Sequence, residues 1–171
     1  GCAAGKYIGT PGSTSASDCK QCAAGSVTDK LADEAGTSCT QCAAGTSSSL
    51  PTMDCTNCMP GTYSSRGDST CKQCPAGSVT DKRGQSGGTS CKLCAPGQYS
   101  DSPTESCADC LVGSRCVSGG EREACGPGTF SNKTSAKTCD LCPGGYYGNR
   151  TGEWRADCEG KCAASHYCPA G

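Results

Sequence analysis

The sequence predicts small disulfide-rich repeats: an elongated array of cystine-closed loops with short β-ladders, little or no helix and no single global core. Three observations predict it. Twenty of the 171 residues are cysteine, they recur as C-x-x-C pairs, and the stretch after each pair opens with the same glycine-bearing signature. Leu, Ile, Val and Phe together number only 11, far below the roughly 20% under which a chain stays unfolded for want of apolar burial. Cross-links must stand in for a core: in the chain-entropy model, a disulfide closing about 15 residues removes roughly 3 kcal/mol of denatured-state entropy. Such bonds persist in oxidising surroundings, which places the chain outside the cell or on its surface.

Taken in order, the loops run Cys2 to Cys19, Cys22 to Cys39, Cys42 to Cys55, Cys58 to Cys71, Cys74 to Cys91 and Cys94 to Cys107, with two residues between one loop and the next. The rhythm then changes to Cys110-x5-Cys116 and a bridging segment, followed by Cys125 to Cys139, Cys142 to Cys158 and Cys162-x5-Cys168. Parity alone proves no connectivity, because twenty cysteines allow very many. The repeat makes neighbour pairing the simplest: 2–19, 22–39, 42–55, 58–71, 74–91, 94–107, 110–116, 125–139, 142–158 and 162–168. The corresponding modules are 1–21, 22–41, 42–57, 58–73, 74–93, 94–109, an irregular linking segment 110–124, then 125–141, 142–161, and 162–171 as the start of a link to a further module. Both ends carry the loop signature and no charged-then-apolar leader precedes it, so the chain reads as a mature or partial form of something longer.

Three residues after each opening cysteine stands glycine, at positions 5, 25, 45, 61, 77, 97, 113, 128 and 145, with Ser165 the exception. A position so insistent on glycine needs φ > 0 or a close approach, most simply in a tight turn after the cysteine. Two residues later comes an aromatic or branched side chain, Tyr7, Val27, Tyr63, Val79, Tyr99, Phe130, Tyr147 or Tyr167, expected to cover a cystine as a miniature core. Ser47 and Arg115 break this rule and mark their loops as the least well packed. The segment from Cys22 through Cys42 also matches that from Cys74 through Cys94 at a separation of 52 residues, so modules of 20, 16 and 16 residues form a super-repeat. Such periodicity predicts a quasi-linear array whose units touch chiefly their neighbours. Turns and two- to four-residue antiparallel ladders at the Gly-x-Tyr positions are expected.

Fifteen basic residues face 16 acidic ones with no like-charge run longer than two, which argues against nucleic acid or an anionic membrane as partner. No apolar run approaches a membrane span, so direct insertion is not expected. Cys19 and Cys22 with Cys39 and Cys42 have a spacing compatible with a four-thiolate zinc site. Disulfides are the favoured reading over zinc, because one histidine, His166, serves the whole chain and every loop repeats the glycine signature. A redox C-x-x-C lacks its strand–helix context, and His166 alone cannot build a triad. No enzyme activity, cofactor or metal is therefore expected. Asp29, Asp33, Glu34, Asp81 and Glu121 read as solubilising loop-tip charge, and Trp154 as local packing over Cys158. Asn132-Lys133-Thr134 and Asn149-Arg150-Thr151 are N-glycosylation acceptors. The Ser/Thr clusters at 13–15, 46–49 and 64–65 leave O-linked sugar open.

The run from Cys58-Met-Pro-Gly-Thr-Tyr through Cys71-Lys-Gln-Cys74-Pro-Ala-Gly resembles the ephrin-receptor-like cysteine-rich module, itself similar to the first loop of tumour necrosis factor receptor repeats. Cys94-Ala-Pro-Gly-Gln-Tyr-Ser and Cys125-Gly-Pro-Gly-Thr-Phe-Ser repeat the signature, and His166-Tyr167-Cys168-Pro169-Ala170-Gly171 is similar to the link between such modules. The resemblance implies an extracellular, disulfide-laddered array of the kind found in protist surface proteins, including immobilisation-antigen coats. The functional expectation is a non-enzymatic structural rod in a cell-surface coat or secreted filament, with partners being copies of itself, further repeats of the same chain and covalent glycans. The rival is a receptor-type ectodomain binding a protein ligand through adjacent modules.

Overall fold

Every loop begins with one turn. The backbone N–H four residues past the opening cysteine donates to the carbonyl one residue past it, as from Ser26 to Ala23 at 3.0 Å, Thr62 to Met59 at 3.0 Å and Thr129 to Gly126 at 3.1 Å. The glycine inside the turn has positive φ, +82° at Gly25 and +77° at Gly128, while the residue before it does not. That combination is the type II turn, which favours proline at its second position, where Pro60, Pro96 and Pro127 stand. Ser165 takes φ +70° all the same, and His166 N–H donates to Ala163 at 3.0 Å. Serine thus makes the same turn while bearing the Cβ strain that glycine avoids.

The computed structural model describes residues 1–10, 12–13, 15–117 and 120–171. After each turn but the last the chain forms a first strand, and the return strand comes from the residues just before the next opening cysteine. The hairpins are β1 (Lys6–Tyr7) with β2 (Lys20–Gln21), β3 (Ser26–Thr28) with β4 (Cys39–Gln41), β5 (Thr46–Ser47) with β6 (Thr56–Asn57), and β7 (Thr62–Tyr63) with β8 (Lys72–Gln73). They continue as β9 (Ser78–Thr80) with β10 (Cys91–Leu93), β11 (Gln98–Tyr99) with β12 (Ala108–Asp109), and β13 (Ser114–Cys116) with β14 (Arg122–Ala124). The last two are β15 (Thr129–Phe130) with β16 (Asp140–Leu141), and β17 (Tyr146–Tyr147) with β18 (Gly160–Lys161). Isolated ribbons of two or three residues per strand are not stable in water, so each depends on the cystine beside it. Among the described residues there is no α-helix, and Ala16–Asp18 forms one 3-10 turn capped by the Ser15 hydroxyl. The fold is therefore a set of small disulfide-rich repeats without a global core. The chain divides into two compact units, residues 1–74 with 80–91, and 75–79 with 92–171.

The structure joins the twenty cysteines as Cys2–Cys19, Cys22–Cys39, Cys42–Cys55, Cys58–Cys71, Cys74–Cys91, Cys94–Cys107, Cys110–Cys116, Cys125–Cys139, Cys142–Cys158 and Cys162–Cys168. The segment 110–124, which the sequence marks as irregular, contains a hairpin of the common type, with Ser114 opposite Ala124 and Cys116 opposite Arg122; Ser118 and Gly119 within it lie outside the described residues. What differs is the closing cysteine. Cys116 stands on the first strand itself, six residues after Cys110, so its bond spans one strand end rather than reaching the return strand.

The packing departs from the expected miniature core. Of the aromatic or branched residues five places after the opening cysteine, only Val79 and Phe130 are buried; Tyr7, Val27, Tyr63 and Tyr99 are half-buried, and Tyr167 is 90% exposed. Besides Cys116, Cys158, Ser26, Ser47 and Ser78, the other buried side chains are the opening cysteines except Cys162 and, one place after the aromatic position, a set of hydroxyl residues: Thr28, Ser48, Ser64, Thr80 and Ser131. Each hydroxyl is bonded to backbone, among them Ser48 to the carbonyls of Leu50 at 2.8 Å and Met53 at 2.9 Å, and Ser64 to that of Thr46 at 2.9 Å. Among the described residues no buried side-chain N or O lacks a partner. A polar core costs little when every group is satisfied, and it lets small loops close tightly where a larger apolar side chain would not fit.

Candidate functional site

The residues that hold this fold together sit where one loop meets the next. The signature glycine donates its N–H to the carbonyl six residues into the following loop: Gly25 to Ser48 at 3.0 Å and Gly45 to Ser64 at 2.9 Å in the first unit, Gly113 to Ser131 at 2.7 Å and Gly128 to Gly148 at 2.7 Å in the second. Its own carbonyl accepts from the next opening cysteine, as Gly25 does from Cys42 at 2.8 Å. The opening cysteine's carbonyl in turn accepts from the far tip of the next loop, Cys42 from Gly67 at 2.9 Å and Cys125 from Gly152 at 2.7 Å. Consecutive loops are thus fastened by a repeated set of main-chain bonds, which any sequence with the right turns can supply, and buried hydroxyls add to them, as Ser64 does at the Thr46 carbonyl.

The glycines also meet a second constraint. A Cβ placed on Gly25 would lie 1.9 Å from the Gly67 carbonyl oxygen, one on Gly45 2.4 Å from that of Gly87, one on Gly97 2.5 Å from that of Ser135, and one on Gly113 2.3 Å from that of Gly152. Each partner lies two loops further on. Glycine is demanded both by positive φ and by the approach of the loop after next, so each unit, bonded to its immediate neighbours, also meets the one beyond. Gly145 has φ +85°, but a Cβ there would meet nothing within 4 Å, which separates the two demands within one molecule.

Asp29 and Asp81, expected from sequence to be solvated charge, prove to be clamps. The Asp81 carboxylate accepts from the Thr89 N–H at 2.8 Å, the Thr89 hydroxyl at 2.5 Å and the Ser90 N–H at 3.3 Å. Asp29 does the same with Thr37 and Ser38 at 2.8, 2.6 and 3.2 Å. Both clamps belong to the longer loops of the 52-residue period, where a carboxylate gathers a tip that the cystine does not reach. The threonine hydroxyl bonds, foremost, hold both carboxyls below the usual value of 3.8. A depressed pKa contributes stability above 3.8 that is lost as pH falls through the lowered value. Hydrogen exchange between pH 5 and pH 2 should therefore show the Thr37–Ser38 and Thr89–Ser90 amides losing protection on acidification, while Asp29→Asn and Asp81→Asn lack that transition.

Trp154 is 57% exposed and lines one cleft with Tyr147 and the buried Cys158. His166 is exposed, its Nδ1 3.3 Å from the Ala164 carbonyl. Asn132 and Asn149 are exposed and stand at the same place, seven residues after the opening cysteine, on successive loops. Of the Ser/Thr cluster at 13–15, Thr14 lies outside the described residues. Ser47 and Arg115, the two breaks in the aromatic rule, each line a cleft against the following loop. The Ser47 cleft is bounded by Thr62, Thr70 and Cys71, and the Arg115 cleft by their counterparts Thr129, Thr138 and Cys139. Among the described residues no group of three or more His, Cys, Asp or Glu is placed to hold a metal ion, and no helix is long and apolar enough to cross a membrane.

Sequence reasoning missed the hydroxyl core, the contact with the loop after next, and the aspartate clamps. The first had a signal, since a hydroxyl residue recurs six places after Cys22, Cys42, Cys58, Cys74, Cys94 and Cys125. Residues 45–91 match the family described as tyrosine-protein kinase ephrin type A/B receptor-like. A comparison with curated proteins finds no match. The cysteine-rich repeat of that family is not an enzyme class, and together with the many disulfides it points to an extracellular or surface location. Since the matched stretch is built from the same turn, hairpin and cystine as the loops on either side of it, this chain is a disulfide-rich repeat protein that is ephrin-receptor-like over residues 45–91.

Proposed function

We propose that the chain is an extracellular structural protein, a disulfide-laddered rod contributing to a cell-surface coat or secreted filament. The observation that carries this reading is the use of signature glycines to fasten each loop to the next through main-chain hydrogen bonds and to admit the loop after next. A ladder of this kind can be extended by adding loops, needs no unique pocket, and resists unfolding because every loop is closed by its own cystine. Partners are copies of the chain or further repeats of it, with glycans on the loops. Electron microscopy of the native material tests the reading: filaments or a dense coat are expected, whereas isolated monomers or a one-to-one complex with a soluble ligand favour the receptor-type alternative.

Glycan occupancy at Asn132 and Asn149 belongs to the same reading. Their exposure on successive loops would set two sugars one module apart. Intact mass before and after N-glycan amidase treatment of the secreted protein should fall by two glycans, and peptide mapping should place both on these asparagines. An unchanged mass would remove this support for a glycosylated coat.

A further inference from the structure

In most loops the fifth residue after the opening cysteine is aromatic or branched, and Tyr7 and Tyr63 at this place bridge to Gly36 and Gly88 of the next loop. At Ser47 it is a small hydroxyl, itself buried, at the floor of a cleft. Ser47 Oγ lies 3.3 Å from Cys71 Sγ, in a cleft of about 460 Å3. The Arg115 cleft is the same position in the second unit, but there the guanidinium pairs across its hairpin with Glu123 at 2.8 Å. The Ser47 cleft has no such ion pair. Its rim carries Met53 and Met59, 56% and 69% exposed, whose sulfurs suit an aromatic ring. It also carries Asp54, exposed and, among the described residues, without an ion-pair partner. A place that carries a ring or a branched side chain in most other loops thus carries a small hydroxyl here, beneath a rim of two thioethers and one negative charge.

The chain holds a matching group. Trp154 is its sole tryptophan, stands outside the repeated aromatic positions, is 57% exposed and is followed by Arg155. Arg155 forms an ion pair with Asp157, at 3.1 Å, in an exposed contact that is readily exchanged. We infer that the Ser47 cleft is a self-association site that receives Trp154 of a second copy, with Arg155 of that copy facing Asp54. Knob and hole are different patches of the chain, so the contact is head-to-tail and propagates unless rotation closes it into a ring. The inference rests on the structural reading above and names the contact by which copies would join.

Sedimentation velocity of the full-length oxidised protein, from micromolar to millimolar concentration, tests it. The unaltered chain should associate, and Ser47→Tyr, which fills the cleft from within, and Trp154→Ala should each weaken association about 30-fold or more. Asp54→Arg and Arg155→Asp should each weaken self-association, yet an equimolar mixture of those two variants should associate again, through the original pair in one direction and the swapped pair in the other. Hydrogen exchange on each variant establishes that the hairpins persist; should Ser47→Tyr disturb them, the charge-swapped mixture still decides. Association of the unaltered chain with no change in the variants overturns this contact and leaves the coat or filament reading standing. A chain that stays monomeric at every concentration overturns both.

Discussion

Gly25→Ala is expected to be among the most damaging single substitutions in this chain, and Gly145→Ala to cost much less, although both glycines occupy the same place in the repeat. Each alanine must hold positive φ, +82° and +85° respectively, at about 1–2 kcal/mol. At Gly25 the new Cβ would also lie 1.9 Å from the Gly67 carbonyl oxygen, which backbone must move to relieve, at a further cost of about 1–3 kcal/mol. At Gly145 nothing lies within 4 Å. Denaturant unfolding under non-reducing conditions should therefore show Gly25→Ala destabilised by roughly 2–5 kcal/mol and Gly145→Ala by the backbone strain alone. Exchange of the Gly67 amide, which donates to Cys42 at 2.9 Å, should accelerate only in Gly25→Ala. Equal effects at both positions would mean that the approach of the loop after next contributes nothing.

Reduction should have the largest effect of all. Hairpins of two or three residues per strand do not persist unaided, and with 11 Leu, Ile, Val and Phe in 171 residues there is no apolar core to hold them. Full reduction is expected to abolish the ladder signal in far-UV circular dichroism and to expand the chain to unfolded dimensions, read by small-angle scattering. A single pair replaced, Cys58→Ser with Cys71→Ser, removes a loop of sequence separation 13 and should cost about 3 kcal/mol. The damage should spread in a set direction, because the Cys58 carbonyl holds Gly87 at 2.7 Å and the Ser64 carbonyl holds Gly45 at 2.9 Å. Protection at Gly45 and Gly87 should fall with that of the loop itself. A compact reduced chain with native circular dichroism would refute the account.

Local chemistry was legible because it is local. A glycine three residues after a cysteine, with proline allowed before it, predicts a turn, and a short run after the turn predicts a strand. What could not be read was which side chains those strands bury. Period-two alternation puts either Tyr63 or Ser64 inward, and apolar character favours tyrosine, yet Ser64 is fully buried and Tyr63 half-exposed. The reason is space: beside the opening cysteine there is room for a hydroxyl and for the carbonyl it bonds, not for a ring. The aspartate clamps escaped for a related reason, since the acceptor role of Asp81 depends on Thr89 and Ser90 folding back eight and nine residues later.

The sequence by itself determined the unit of this protein: the cystine-closed loop, its tight glycine turn, its two-stranded ladder and the oxidising compartment those demand, all consequences of bonding within some 20 residues. Only the tertiary structure decided how units combine. Nothing in one loop's sequence says that its glycine must admit the backbone of the loop after next, or that Ser47 and Arg115 line equivalent clefts, one with a buried hydroxyl and the other with an ion-paired arginine. Those outcomes depend on the path the main chain takes between loops, which is set by hydrogen bonds that carry no side-chain signature.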